Sequence, residues 1–205
     1  MQDQYLTVAA AGVHETEVNR SRFVCALAPA TTEAEAQAVL AAMRAEHPAA
    51  SHHCYAYVLG ADGAVRRSGD DGEPGGTAGL PMLQMLLRRD IRDAVAVVAR
   101  YFGGTKLGAG GLIRAYSGSV GAALDAVGTA TRRRVRHATV TVGHDRAGRL
   151  ENDLRATGHQ VHDVRYGAEV AFHLSLPAAD TDAFRAWLAD ATAGTARLKL
   201  HDDSP

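Results

Sequence analysis

Between Asp93 and Tyr116 the chain reads DAVAVVARYFGGTKLGAGGLIRAY, and no other stretch restricts its folding as strongly. The first part is apolar and rich in β-branched valine, which predicts a strand. Gly103, Gly104, Gly108, Gly110 and Gly111 follow, five glycines within nine residues and with Lys106 among them. Beyond them Leu112, Ile113, Tyr116, Val120, Ala123, Leu124 and Val127 recur at helical spacing and predict an inward helix face. A strand, a glycine loop and a helix in that order is a layout in which backbone amides and a helix N-terminus converge on an anion.

The two standard versions of that layout are absent. A P-loop needs Gly-x4-Gly-Lys-Ser/Thr, but Lys106 follows Thr105 and precedes Leu107. A dinucleotide turn needs Gly-x-Gly-x-x-Gly, but Ile113 stands where the glycine after Gly108 and Gly110 should be. Two readings stay open. The loop is a difficult turn that needs positive φ angles and close backbone packing. Alternatively it is an anion or nucleic-acid contact, with Arg100, Lys106 and Arg114 at its mouth. The formal net charge of -1 argues against a globally basic nucleic-acid binder. Residues 50–134, however, carry 11 basic against 7 acidic side chains, so an anion-facing surface belongs there. Arg100 and Arg114 have a plainer alternative, as solvated groups or as partners of Asp70 and Asp71.

The rest of the chain reads as alternating short elements. Residues 5–28 suggest two strands. Thr32 and Glu35 have capping-box spacing, and Ala36, Val39, Leu40 and Met43 share a helix face. HCYAYVLG, ADG and AVRRSG read as strand, turn and strand. SGDDGEPGGTAG has no periodicity and is loop; Thr77 then caps a helix to about Arg89. Composition changes at TRRRVRH, Thr131 to His137. After it come a strand at 136–143, a helix at 146–157, strands at 159–165 and 168–176, a helix at 180–192 and a strand at 195–201. That is the β-α-β-β-α-β order of a ferredoxin-like domain. The expected domains are therefore 1–134 and 135–205.

Asp70, Asp71 and Glu73 lie within four residues of that loop. Paired carboxylates serve cation binding or acid–base work, but here the expected role is to organise the basic loop through turns and ion pairs. His52 and His53 join them as supporting residues. On a strand His52 and Cys54 point one way, and His53, Tyr55 and Tyr57 the other. Cys54 beside a histidine has the makings of a thiol nucleophile, yet small buried cysteines are common and it is read as core. Cys25 adds no convincing zinc set, so no metal, cofactor or catalytic residue is assigned. Two isolated cysteines, the absence of a signal-peptide pattern and the lack of a long apolar run give the expectation of a cytoplasmic protein with no membrane partner.

SRFVCALAP, HHCYAYV, DDGEPGGTAGLPML and VVARYFGGTKLGAGGLIRAYS, taken together, resemble the Impact family, in its bacterial form. The resemblance implies an α/β fold: an α+β two-layer first domain like domain 2 of ribosomal protein S5, then a ferredoxin-like domain like the C-terminal domain of elongation factor G. Both relatives act on ribosomes or RNA. Eukaryotic members restrain an amino-acid-starvation kinase pathway and carry an extra N-terminal domain, which this sequence is expected to lack. The expected function is translation-associated binding of RNA or the ribosome, without catalysis, with a protein partner for the second domain. The alternatives are a metal-dependent phosphoryl-transfer or hydrolase enzyme and a protein-interaction adaptor.

Overall fold

In the computed structural model, which describes residues 4–201, the chain divides into two compact units, Tyr5–Arg132 and a second from Arg133 onward. The first unit opens with three strands, β1 (Gln4–Val8), β2 (Gly12–Val18) and β3 (Ser21–Pro29), where two were expected. The extra break falls between Val8 and Gly12, and β2 joins β3 through a tight turn at Asn19 and Arg20. Both have positive φ, at 48° and 64°, as a two-residue hairpin turn requires. Then follow α1 (Glu33–Glu46), β4 (His52–Leu59), β5 (Val65–Gly69), α2 (Gly79–Arg88), β6 (Ala94–Tyr101), α3 (Gly108–Val127) and β7 (Thr129–Arg133). The capping box forms: Glu35 N–H donates to Thr32 Oγ1 at 3.2 Å, and Thr32 N–H donates back to the Glu35 carboxylate.

β6 occupies the middle of a five-stranded antiparallel sheet of order β2-β3-β6-β4-β5, while β1 pairs with β7. A central strand covered on both faces must be apolar throughout, and Ala94 to Ala99 are all fully buried. Ala94, Ala96 and Val98 face α2 and α3 together with Phe23, Cys54 and Tyr116. Val95, Val97 and Ala99 face α1 together with Tyr57, Leu40 and Met43. The mixed α/β class holds, and α1 adds a third layer to the expected two. Tyr55 and Tyr57 stack with centroids 6.0 Å apart at the α1 face, so packing takes them.

Two helix expectations change. α3 begins at Gly108, so Gly108, Gly110 and Gly111 belong to its first turn rather than to the loop. Ile113 is 41% exposed, because the inward stripe runs through Leu112, Tyr116, Val120, Ala123 and Leu124. α2 begins at Gly79, and Thr77 does not cap it. The Thr77 hydroxyl donates to the Pro74 carbonyl instead.

The second unit contains β8 (Val135–Val142), α4 (His144–Ala156), β9 (Gln160–Tyr166), β10 (Val170–Pro177), α5 (Thr181–Thr192) and β11 (Arg197–Leu200). Its sheet order is β11-β8-β10-β9, antiparallel throughout, the ferredoxin-like arrangement. Phe172, Leu174, Val140 and Leu176 pack with Leu150, Leu154 and Phe184 from the two helices. Among the described residues, no helix is long and apolar enough to cross a membrane.

Candidate functional site

Strand register assembles one end of the first sheet. Phe23 and His52 both lie directly opposite Arg100, two residues beyond Val98 and so on the α2/α3 face. A guanidinium in that position needs a counter-charge, since an isolated buried charge is costly. Glu73 supplies it from the loop between β5 and α2. Arg100 Nη1 donates to Glu73 Oε1 at 2.7 Å, and the Tyr116 hydroxyl of α3 donates to the same oxygen at 2.7 Å. The two charged side chains are only 6% and 3% exposed. Arg100 Nη2 donates to Ser21 Oγ at 3.3 Å. Its guanidinium carbon sits 5.5 Å from the Phe23 ring centre and 5.7 Å from that of Phe102.

The other two acids of the loop serve different partners. Asp70 accepts three backbone N–H groups, from Gly76 at 2.8 Å, Ala78 at 3.1 Å and Gly79 at 2.7 Å, and so caps α2 from nine residues upstream. Asp71 accepts from the His53 N–H and from Arg44 Nη2, both at 2.7 Å. Its carbonyl accepts from His52 Nδ1 at 2.8 Å, which leaves His52 Nε2 4.0 Å from Glu73. Burial alone would raise both aspartates. The backbone donors outweigh it at Asp70, as do the His53 N–H and Arg44 at Asp71, and both carboxyls are held below their ordinary value. A depressed folded value gives stability that is present above the unfolded value of about 4 and is lost as pH falls through the folded one. An Asp70→Asn variant is therefore expected to be less stable at neutral pH and to lose less on acidification. Chemical denaturation at a series of pH values tests this, and an unchanged acid slope would refute it.

The glycine segment is anchored on one side and open on the other. Gly103 N–H donates to Ser21 Oγ at 3.2 Å, and a Cβ on Gly103 would stand 2.1 Å from the Arg20 carbonyl carbon and oxygen. Only glycine admits that approach of loop to hairpin. Gly104, at φ +83°, turns the chain away, and a Cβ there would meet nothing. Lys106 and Arg114 are exposed. The first turn of α3 has no side-chain cap and no acidic residue. The Arg114 guanidinium folds back along this turn: a Cβ on Gly110 would lie 3.7 Å from its Nη1. Phe102, 52% exposed, stands at the start of the same loop.

The structure thus brings His52, His53, Asp70, Asp71, Glu73 and Arg100 into one network and leaves Lys106 and Arg114 outside it. Arg100 faces inward to Glu73 rather than outward with the other two cations. Sequence reasoning passed over Ser21, Tyr116 as a donor, and Phe102. Tyr116 carried a signal, since a tyrosine on a buried helix face needs a partner for its hydroxyl. Cys54 donates to the Asp70 carbonyl at 3.0 Å, and burial pushes its thiol up to about 12, as it does for Cys25. Neither thiol is expected to react with a disulfide reagent at neutral pH until the protein is unfolded. Rapid titration of the native protein would contradict this. Among the described residues, no group of three or more His, Cys, Asp or Glu side chains could hold a metal ion.

Comparison with known proteins agrees along the chain. Residues 19–124 match the model described as Impact N-terminal domain, and residues 140–195 match one described as domain of unknown function (DUF1949). The chain is 41% identical over 199 residues to the IMPACT family member YvyE of Bacillus subtilis, covering 97% of this chain and 92% of that one. It is 37% identical over 198 residues to YigZ of Escherichia coli, covering 96% and 97%. A crystal structure of a hypothetical protein superposes with a TM-score of 0.79 at 36% identity, over 100% of both chains.

Proposed function

The chain belongs to the Impact family, and from that premise we propose that it is a translation-associated protein that binds RNA or the ribosome through phosphate groups, without catalysis, in the cytoplasm. The observation that carries the proposal is the uncapped first turn of α3, with Arg114 folded against it. A cation at a helix N-terminus is unfavourable by itself, because it adds to the positive end of the dipole. An arriving phosphate reverses the sign of that interaction and takes up the free amides. Lys106 adds a second cation, and the open faces of Gly104 and Gly108 leave the backbone accessible. Phe102 provides a half-exposed ring on which a base could stack.

The acidic loop has the supporting role in this reading. Glu73 neutralises Arg100, Asp70 caps α2, and Asp71 holds Arg44 and the His53 backbone. Glu73 meets α3 only at Tyr116, and none of the three carboxylates bonds to its first turn. The enzyme alternative draws less support, because the histidines and acids that meet are bound to one another and Lys106 makes no bond to them.

The test is binding of single-stranded RNA across a salt series. Affinity is expected to fall linearly on a logarithmic scale, and a Lys106→Ala/Arg114→Ala double variant to reduce the slope by about one per cation removed. Binding that ignores salt would count against phosphate contact.

A further inference from the structure

The sheet of the second unit has one face under α4 and α5 and one face open. The residues alternating with its buried ones on the two central strands are His137, Thr139 and Thr141 of β8 and Ala171, His173 and Ser175 of β10. Thr139 stands opposite His173, and His137 opposite Ser175. Two further histidines reach the same face. β9 carries an irregularity where its pairing passes from Asp163 to Val161, and a bulge of this kind re-aims a side chain. His162, the residue between, thereby places Nε2 2.8 Å from Ser175 Oγ. His201, just past β11, places Nε2 2.7 Å from Thr139 Oγ1.

Each hydroxyl therefore bridges two imidazoles: Ser175 meets His162 and His137 Nδ1 (3.2 Å), and Thr139 meets His201 and His173 Nδ1 (3.2 Å). A hydroxyl donates one bond and accepts two, so it can serve one neutral ring and one N–H donor, or two N–H donors. The rings can take up protons without leaving a bond unmade. The charged neighbours on this face are Arg165, paired with Asp163 at 2.8 Å, Arg197, paired with Glu169, and Lys199, which pairs with no carboxylate among the described residues. Arg165, with a smaller pull from His173, holds the Asp163 carboxyl below its ordinary value. With both arginines balanced, the charge of the face among the described residues is set by Lys199 and the four histidines.

We propose that this open face is a second RNA-binding surface, one that takes a single-stranded segment and strengthens as its histidines charge. Protonated imidazoles supply phosphate donors, and any imidazole supplies a flat ring for a base. The face lacks the apolar centre on which a protein partner docks, which disfavours that occupant. The choice of RNA as ligand rests on the function proposed above; the histidine cluster and its charge do not.

The experiment measures anisotropy of a fluorescein-labelled oligouridine with the full chain at about pH 6 and about pH 8, where histidine changes charge. Wild type is expected to bind about tenfold or more tightly at the lower pH. A His137→Gln/His173→Gln variant should lose most of that gain. The Lys106→Ala/Arg114→Ala variant should keep the gain and bind more weakly at the higher pH. A full pH gain in the histidine variant overturns the proposal. A loop variant with unchanged affinity at the higher pH overturns the glycine-loop reading alone. No RNA binding at either pH overturns both. Displacement by polyglutamate as readily as by unlabelled oligouridine also overturns it, in favour of an acidic protein. Should the histidine variant fold poorly, the imidazole resonances of wild type decide. Shifts at His137, His162, His173 and His201 on adding RNA are expected, and their absence refutes the proposal.

Discussion

Replacing Glu73 with alanine is expected to lower folding stability by about 3–5 kcal/mol, the cost of removing one partner from a buried ion pair. The carboxylate is 3% exposed and one oxygen accepts from both Arg100 and Tyr116. Without it, the buried guanidinium retains only Ser21 and two aromatic rings, and its Nε–H already lacks an acceptor. The Tyr116 hydroxyl would turn to Cys54, 3.4 Å away, whose sulfur is a weak acceptor. Glu73→Gln should fall between alanine and wild type, since it restores an acceptor but no charge. Urea denaturation of the three proteins measures the series. A loss below about 1 kcal/mol for the alanine variant would mean that Arg100 reaches water and that the cluster does not hold this end of the sheet.

Gly103→Ala is expected to cost about 1–3 kcal/mol or more, the range for forcing extra atoms into a packed site. The added methyl would overlap the backbone of Arg20 and Ser21, at 2.1 Å and 2.4 Å, and backbone cannot rotate aside as a side chain can. The loop would have to lift from the hairpin and give up the bond from Gly103 N–H to Ser21. Gly104→Ala is the internal control. It meets no atom and carries only the strain of its φ of +83°, about 1–2 kcal/mol. Thermal unfolding of both variants separates contact from strain. Equal losses would show that close approach does not define the loop.

The sequence disclosed what depends on neighbours in the chain. The capping box at Thr32, the opposite faces of Cys54 and Tyr55, and the element order of the second unit follow from local spacing. Pairings across the fold were hidden. Asp70 caps α2 in place of Thr77 because the loop returns on itself, and no propensity of either residue foretells that. The expectation that Asp70, Asp71 and Glu73 organise the loop named the residues, but it offered Arg100 and Arg114 to Asp70 and Asp71, whereas Arg100 meets Glu73 and Asp71 meets Arg44. Arg44, Arg100 and Tyr116 lie 27, 27 and 43 residues from the acids they meet. The histidine face was illegible for a stronger reason. Its four members come from β8, β9, β10 and the end of β11. They meet only because the sheet order is β11-β8-β10-β9 and because an irregularity in β9 turns His162. Alternation alone could not place His162 and Asp163, adjacent in the chain, on one face.

In the function proposed above, phosphate groups engage the α3 N-terminus between Lys106 and Arg114. The most direct test is co-sedimentation with purified ribosomes over a salt series, for wild type beside the Lys106→Ala/Arg114→Ala variant. Both side chains are exposed, and the variant is expected to fold as wild type does. Wild type is expected to bind ribosomes with an affinity that weakens as salt rises, and the variant to bind at least about tenfold more weakly at the same salt. A folded variant that sediments with ribosomes as well as wild type, at every salt concentration, would contradict that reading.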